Sequence, residues 1–417
     1  MFANIPGLME KIRDRFSFVD TCPVQGKRIF FENAGGSLTL KSVVERSAEY
    51  AAIPDNQGRD NPASQHLIQV IDEAKQHMRT FFNAYEGQLF VGESGTELLF
   101  RLIRAGCLGA RDGGRVIGST LEHPASRSAG LKWAEKTKRD YKSAAHNSET
   151  GTVTVADYLP IITADTRVAT IIHTSPVTGI SVDVAGIAKA IRDVSPNCII
   201  IVDGIQHVAH GGADIDSYDI DGYVISPYKV YSRHGYGVAW ISDRLTEMPH
   251  DTLVGGPGGQ WELGTRDTGA YATFSDVVNY LDWLGGQVSA ETRPRARIEA
   301  AGQAISVQEK RLVDLMLSGN NKVAGLLKIP EIKIIGGAEN PHREGLVSFA
   351  LKSTKSEQVI AGLSKQGIRV HIRKPDHYSG NILNPLGLDS CVRVSMCHYN
   401  TETEVIAFLK AMEQIRD

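Results

Sequence analysis

Between residues 88 and 242 the chain repeats one pattern: a short run of apolar, mostly β-branched residues that ends in small or polar ones, then a stretch of helical periodicity. LFV (89–91) precedes a helical pattern over 96–108, RVIGS (115–119) one over 126–136, and VATIIH (168–173) one over 184–194. CIIIVD (198–203), GYVIS (222–226) and GVAWIS (237–242) follow in quick succession. Runs that do not alternate with polar residues suit strands buried on both faces, so this region predicts an α/β fold: a mostly parallel sheet with helices on both sides.

Helical periodicity then extends over 269–318, interrupted at 291–294. LVSFAL (346–351), a helical pattern over 356–366, GIRVHI (367–372), CVRVS (391–395) and a terminal helix from Thr401 have the texture of a smaller α+β domain. A chain of 417 residues has room for two or three domains. The expected division is a large α/β domain over 18–290 and a small one over 291–417 that also takes in the N-terminal segment 1–17.

A net charge of −3 without a long basic run argues against a nucleic-acid surface. The five cysteines form no C-x-x-C pair and suit a reducing compartment, so a cytoplasmic protein is expected. The first residues, MFANIPGLMEKIRDRF, lack the apolar core of a signal peptide, and no apolar run reaches the length of a membrane span.

In open α/β sheets ligands gather at the carboxyl ends of strands, and four such ends are polar here. GESGT (92–96) would set backbone N–H groups and the hydroxyls of Ser94 and Thr96 at a helix start, either as a plain N-cap or as a phosphate cradle. STLEHPAS (119–126) places His123 beyond a strand, where an imidazole can stack on a planar ligand. IIIVDGIQHVAH (199–210) ends a buried strand in Asp203, followed by Gln206, His207 and His210. That carboxylate needs a partner: a protonated heterocycle nitrogen, or a divalent metal shared with His207 and His210. VISPYKVYSRHGYGVAW (224–240) sets Lys229 among Tyr228, Val230 and Tyr231, where desolvation favours the nucleophilic amine. Together these make a phosphate cradle, a stacking ring, an acid for a ring nitrogen and an imine-forming lysine, which is what pyridoxal phosphate requires.

The ordered segments FENAGGS (31–37), EHPAS (122–126), VDGIQ (202–206), SPYK (226–229), ELGTRDTGA (262–270) and VRVSMCHYNTETEV (392–405) resemble the class V aminotransferase family, in particular its cysteine desulfurase-like branch. The resemblance implies a fold type I pyridoxal-phosphate enzyme, a homodimer with shared active sites, acting on an amino acid. It implies that Lys229 carries the cofactor as a Schiff base, Asp203 pairs with the ring nitrogen, Gln206 contacts the phenolic oxygen and His123 stacks on the ring. Ser94, Gly95, Thr96 and Ser226 would hold the phosphate, with Tyr228 also donating to it, and Thr265 would reach the phosphate of the neighbouring subunit. Arg393 would clamp the substrate carboxylate, with Asn33 also on the substrate side.

The chain departs from that branch in three places. The loop at 372–389, where a desulfurase needs a sulfur-accepting cysteine, has none; Cys391 and Cys397 read as packed apolar residues. Pro176 stands where the branch commonly has Asn, and Tyr228 where desulfurases generally have His. The loop offers Arg373, Lys374, His377 and Tyr378 instead, to which Arg233, His234 and Arg266 could add, so a substrate with an anionic or strongly polar side chain is expected. The leading expectation is a lyase that eliminates a Cβ substituent, with a C–S bond in first place. Aminotransferase or epimerase action on a polar or acidic amino acid is the alternative, and a metal-dependent hydrolase the distant one.

Overall fold

The computed structural model describes residues 2 and 5–416; Met1, Ala3, Asn4 and Asp417, at the ends of the expected domain spans, lie outside them. The chain opens with helices α1 (Leu8–Arg13), α2 (Lys41–Ala51) and α3 (Pro62–Phe82). The start of α3 is fixed locally: Pro62 occupies its first turn and the Asn61 side chain accepts from the Ser64 N–H.

The central sheet has seven strands: β1 (Gln88–Gly92), β2 (Arg115–Ser119), β3 (Asp140–Ala144), β4 (Thr166–Ile172), β5 (Ile199–Asp203), β6 (Gly222–Ile225) and β7 (Gly237–Ile241). Their spatial order is β1-β7-β6-β5-β4-β2-β3. Only β7 runs against its neighbours; every other pairing is parallel. Helices α4 (Gly95–Gly109), α5 (Pro124–Lys136) and α6 (Val184–Val194) alternate with the strands. The non-alternating runs have the predicted cause. Ile199 and Ile201 of β5 pack into one apolar cluster with Leu98, Leu102 and Ala129, whereas Ile200 and Val202 pack into another on the opposite face with Ile187 and Ile191. Strand β3, DYKSA, was not legible as a strand, because it lies at the sheet edge and alternates exposed with half-buried residues.

Two long helices, α7 (Thr268–Val288) and α8 (Pro294–Ser318), pack along each other and lead to a four-stranded antiparallel sheet. Its strands β8 (Ile332–Ile335), β9 (Leu346–Leu351), β10 (His371–Arg373) and β11 (Cys391–Ser395) lie in the order β8-β9-β11-β10, with α9 (Ser356–Lys365) and α10 (Glu402–Arg416) against them. GIRVHI is not one strand: Ile368–Arg369 pairs in parallel with Ile29–Phe30, and only His371–Arg373 joins β11.

Two details differ from the expected division. Ile298, Ala301 and Ile305 of α8 belong to the large core and Leu312, Val313 and Met316 to the small one, so the cores part inside α8, not in the turn before it. The N-terminal segment, expected with the small domain, packs Phe2, Leu8, Ile12 and Phe16 into the large core, while Phe31 joins the small one. Among the described residues no helix is long and apolar enough to cross a membrane.

Candidate active site

The carboxyl ends of the strands open on a small cleft of about 50 Å³. Thr96, His123, Asp203, Gln206, Ser226, Tyr228 and Lys229 line it, so the fold brings most of the residues singled out from separate segments to one place. Ile172, Thr174, Pro176 and Ile205 complete the wall. Ser94 stands beside it as the N-cap of α4, its Oγ accepting from the Glu97 N–H at 3.1 Å. Gly95 is required by close approach: a Cβ there would lie 2.4 Å from Ser226 Oγ and 2.6 Å from Ile205 Cδ1. The start of α4 therefore meets the cleft as bare backbone beside the hydroxyls of Thr96 and Ser226, neither of which donates to a protein acceptor among the described residues.

Lys229 is buried at the end of β6, and its Nζ donates to Gln206 Oε1 at 3.2 Å. Burial brings the amine down to about 7; the cation of Arg393 adds to this and Asp203 opposes it. Asp203 uses Oδ1 to accept from the Ile205 N–H at 3.1 Å, and burial lifts the acid to about 6 against the pull of Lys229. His123 accepts from the Ala125 N–H at Nδ1, 3.2 Å away, which leaves the proton on Nε2. Burial, with Lys229 and Arg373 nearby, holds it down to about 3, so it offers an uncharged ring.

Two arginines outside the cleft lining lie close enough to act on the Lys229 amine. Arg393, in β11, is buried; its Nη1 donates to the Pro176 carbonyl at 3.0 Å and its Nε is buried without a partner. Burial and the neighbouring Arg373 bring it down to about 9. Arg373, at the end of β10, likewise has a buried Nε without a partner. Among the described residues neither guanidinium forms a salt bridge, although a guanidinium carries five N–H donors. Glu32, the nearby carboxylate, is engaged by Arg369 and His371 at 3.2 Å each. His377 is exposed; its backbone carbonyl accepts from Arg127, and its ring abuts Tyr378, which in turn lies 5.8 Å from His123.

Several expected contributors are engaged elsewhere. Asn33 donates its NH₂ to the Ser395 carbonyl at 2.8 Å and Asn400 at 3.2 Å and accepts from the Tyr399 hydroxyl, which ties the first segment to β11 and leaves no N–H for a substrate. Lys374 pairs with Glu357 at 3.0 Å, Arg266 with Glu93 at 2.6 Å and Arg233 with Asp267. His234 stacks on Tyr228 at 4.3 Å, and Thr265 is exposed on the loop before α7, away from the cleft lining. The metal triad does not assemble: His207 turns to Glu344 at 2.6 Å, His210 to Glu309 at 2.8 Å, and Asp203 faces the cleft.

Sequence reasoning missed Thr174, on the cleft wall, and Glu122, buried behind Asp203. Glu122 Oε1 accepts from Ser119 Oγ and the Ile172 N–H, and burial with Asp203 nearby raises the acid to about 8. Its place immediately before His123 was the one available signal.

A bare helix start with two hydroxyls, a buried carboxylate, a neutral imidazole and a desolvated lysine in one cleft define a fold type I pyridoxal-phosphate enzyme. The comparisons agree: the Aminotransferase class-V model matches residues 29–408, and the chain belongs to that family. A probable cysteine desulfurase of Mycoplasma genitalium is 31% identical, covering 92% of this chain and 91% of that protein. The cysteine desulfurase-like protein ustD of Aspergillus flavus is 27% identical, covering 98% and 90%. Among solved structures, the apo cysteine desulfurase of Thermococcus onnurineus NA1 superposes with a TM-score of 0.80 at 21% identity, with 98% of each chain covered.

Proposed function

We propose that this enzyme is a lyase acting on an amino acid with an anionic Cβ substituent, which it expels by elimination, with C–S cleavage as the favoured case. The observation that carries the substrate class is the pair Arg393 and Arg373, two guanidiniums beside Lys229 without a carboxylate partner among the described residues. A substrate with a second anion gives each guanidinium a partner of its own.

Thr96, Ser226 and the Gly95 backbone would hold the phosphate of pyridoxal phosphate, Asp203 a proton at its ring nitrogen, His123 its ring face and Gln206 its phenolic oxygen; Lys229 would carry it covalently. Bound there, the cofactor supplies a sink for the electron pair left when a bond at the substrate Cα breaks. Arg393 takes the α-carboxylate in a fork, and Arg373 with His377 at the mouth takes the second anion. Lys229, freed when the substrate amine takes its place on the cofactor, would remove the Cα proton and return protons to the product; burial favours its uncharged, basic form. The net change is amino acid plus water to 2-keto acid, ammonia and the protonated leaving group.

Elimination needs no sulfur-accepting cysteine, and the thiols near the site suit none. Cys391 and Cys397 are buried, and burial pushes Cys391 up to about 12 and Cys397 well above the ordinary thiol value, away from the reactive thiolate. We also propose a homodimer in which the loop before α7, with exposed Leu253 and Val254, brings Thr265 to the neighbouring cleft, and a cytoplasmic setting that suits five free cysteines.

The test is a panel of amino acids that all carry a leaving group at Cβ, some with an anionic substituent and some with a neutral one, given to the cofactor-loaded enzyme. Those with an anionic substituent should give keto acid and ammonia in equal amounts without an amino acceptor. Equal reaction of the neutral members would overturn the substrate class, and keto acid formed without ammonia, only with an acceptor present, would establish transamination instead.

A further inference from the structure

A line of hydrogen bonds runs inward from the reactive lysine. Lys229 Nζ donates to Gln206 Oε1 at 3.2 Å, Gln206 Nε2 meets His210 Nε2 at 3.1 Å, and His210 Nδ1 meets Glu309 Oε2 at 2.8 Å. The side chains of His210 and Glu309 are each 2% exposed. They come from the turn after β5 and the middle of α8. Burying such a pair costs desolvation, and well-packed apolar side chains of similar volume often serve as well or better in such places. Packing therefore gives no reason for it.

Donor and acceptor logic gives one. A carboxamide accepts at one end and donates at the other, so what Gln206 offers the cleft depends on what it offers His210. In the structure its oxygen takes the Lys229 N–H and its NH₂ faces His210 Nε2, which in that arrangement accepts and carries no proton; turning the amide over exchanges the two roles at the same positions. Against a phenolic oxygen, which is an acceptor, the amide must present NH₂ to the cleft, and its oxygen then faces His210 Nε2. That nitrogen must carry a proton. Glu309 meets the requirement when the pair holds two protons: with the shared one on either Nδ1 or Oε2, the proton on Nε2 stays in place, and the buried pair carries no net charge, whereas a single proton on Nδ1 would leave Nε2 bare beside a buried carboxylate. Burial disfavours a charged His210, but Glu309 overrides it and lifts the imidazole to about 9, while burial also raises Glu309.

We propose that the buried His210–Glu309 pair is a positioning device that fixes Gln206 as a hydrogen-bond donor toward the phenolic oxygen of the cofactor. It rests on pyridoxal phosphate occupying this cleft and not on the substrate or the reaction. The other groups facing the pair are Glu344 before β9, itself held by His207, Lys229 after β6, Tyr231 in the following turn, and Cys397, His398 and Tyr399 after β11.

The test reads the proton and the cofactor separately. In ¹⁵N-histidine spectra of the unaltered, cofactor-loaded protein, His210 Nε2 should carry its proton across the neutral range; a pyridine-type Nε2 there overturns the proposal without any variant. Glu309→Gln should remove that proton and, because the phenolic oxygen loses its donor and holds a nearby proton more tightly, raise the midpoint at which the visible band titrates by about one pH unit, a tenfold change. Gln206→Leu should shift the midpoint equally, and the double variant no further. Additive shifts would mean that Glu309 acts through structure alone and would sink the proposal. A loaded wild type without a visible band would instead overturn the cofactor reading beneath it.

Discussion

Gly95→Ala tests the phosphate cradle with a single methyl group. The new Cβ would lie 2.4 Å from Ser226 Oγ, 2.6 Å from Ile205 Cδ1 and 3.2 Å from Ile205 Cγ1, closer than packed atoms approach. Two movements relieve the contact. The Ser226 hydroxyl turns away, which removes a hydrogen bond to an anion worth about 1.5–3 kcal/mol, and Ile205 shifts into the cleft or the helix start retreats, at an overpacking cost of about 1–3 kcal/mol. Only part of this falls on binding, so affinity for pyridoxal phosphate should drop about 10- to 100-fold. Titrating the visible absorption of the cofactor into resolved protein measures it. Gly212→Ala, whose Cβ would have no atom within 4 Å, is the control and should leave affinity unchanged. Unchanged affinity in Gly95→Ala would refute the assignment of this helix start as the cradle.

Lys229→Met should abolish the visible band and turnover, as absorption and product assays will report. It should also alter stability against pH without cofactor. The folded-state amine sits at about 7 against an ordinary 10.5, so the wild type loses stability as pH falls from 10.5 toward 7 and levels off below. Thermal melts of the variant should lack that slope; the same slope in both would contradict a desolvated Lys229. Arg393→Gln should lower kcat/KM for every amino acid substrate by about 2–5 kcal/mol, whereas Arg373→Gln should do so for acidic ones alone. Steady-state kinetics with paired substrates separates the two, and equal losses across both substrate classes would deny Arg373 a role in recognition. His123→Phe should retain most cofactor affinity and His123→Ala lose it, by the same titration, since a neutral ring is what the site uses.

The parallel strands were legible because burial on both faces leaves unbroken apolar runs, and the residues after them, Lys229, Asp203 and His123, were legible because such ends face a ligand. What escaped depends on partners far along the chain. Lys374, Arg233 and Arg266 looked available until Glu357, Asp267 and Glu93 came beside them, and Asn33 looked available until Tyr399, Ser395 and Asn400 closed around its amide. Glu309 was hidden for the same reason: it meets His210 across the helix that joins the two cores, and no local motif announces it. Strand β3 and the split of GIRVHI at Val370 escaped because edge pairing and sheet switching leave no periodic signature.

Product analysis with S-carboxymethylcysteine, which joins a C–S bond at Cβ to a second carboxylate, tests the central claim most directly. The account predicts pyruvate, ammonia and thioglycolate in equal amounts, no need for an amino acceptor, and an unchanged protein mass. Alanine as product, sulfur bound to a cysteine, or keto acid without ammonia would contradict it.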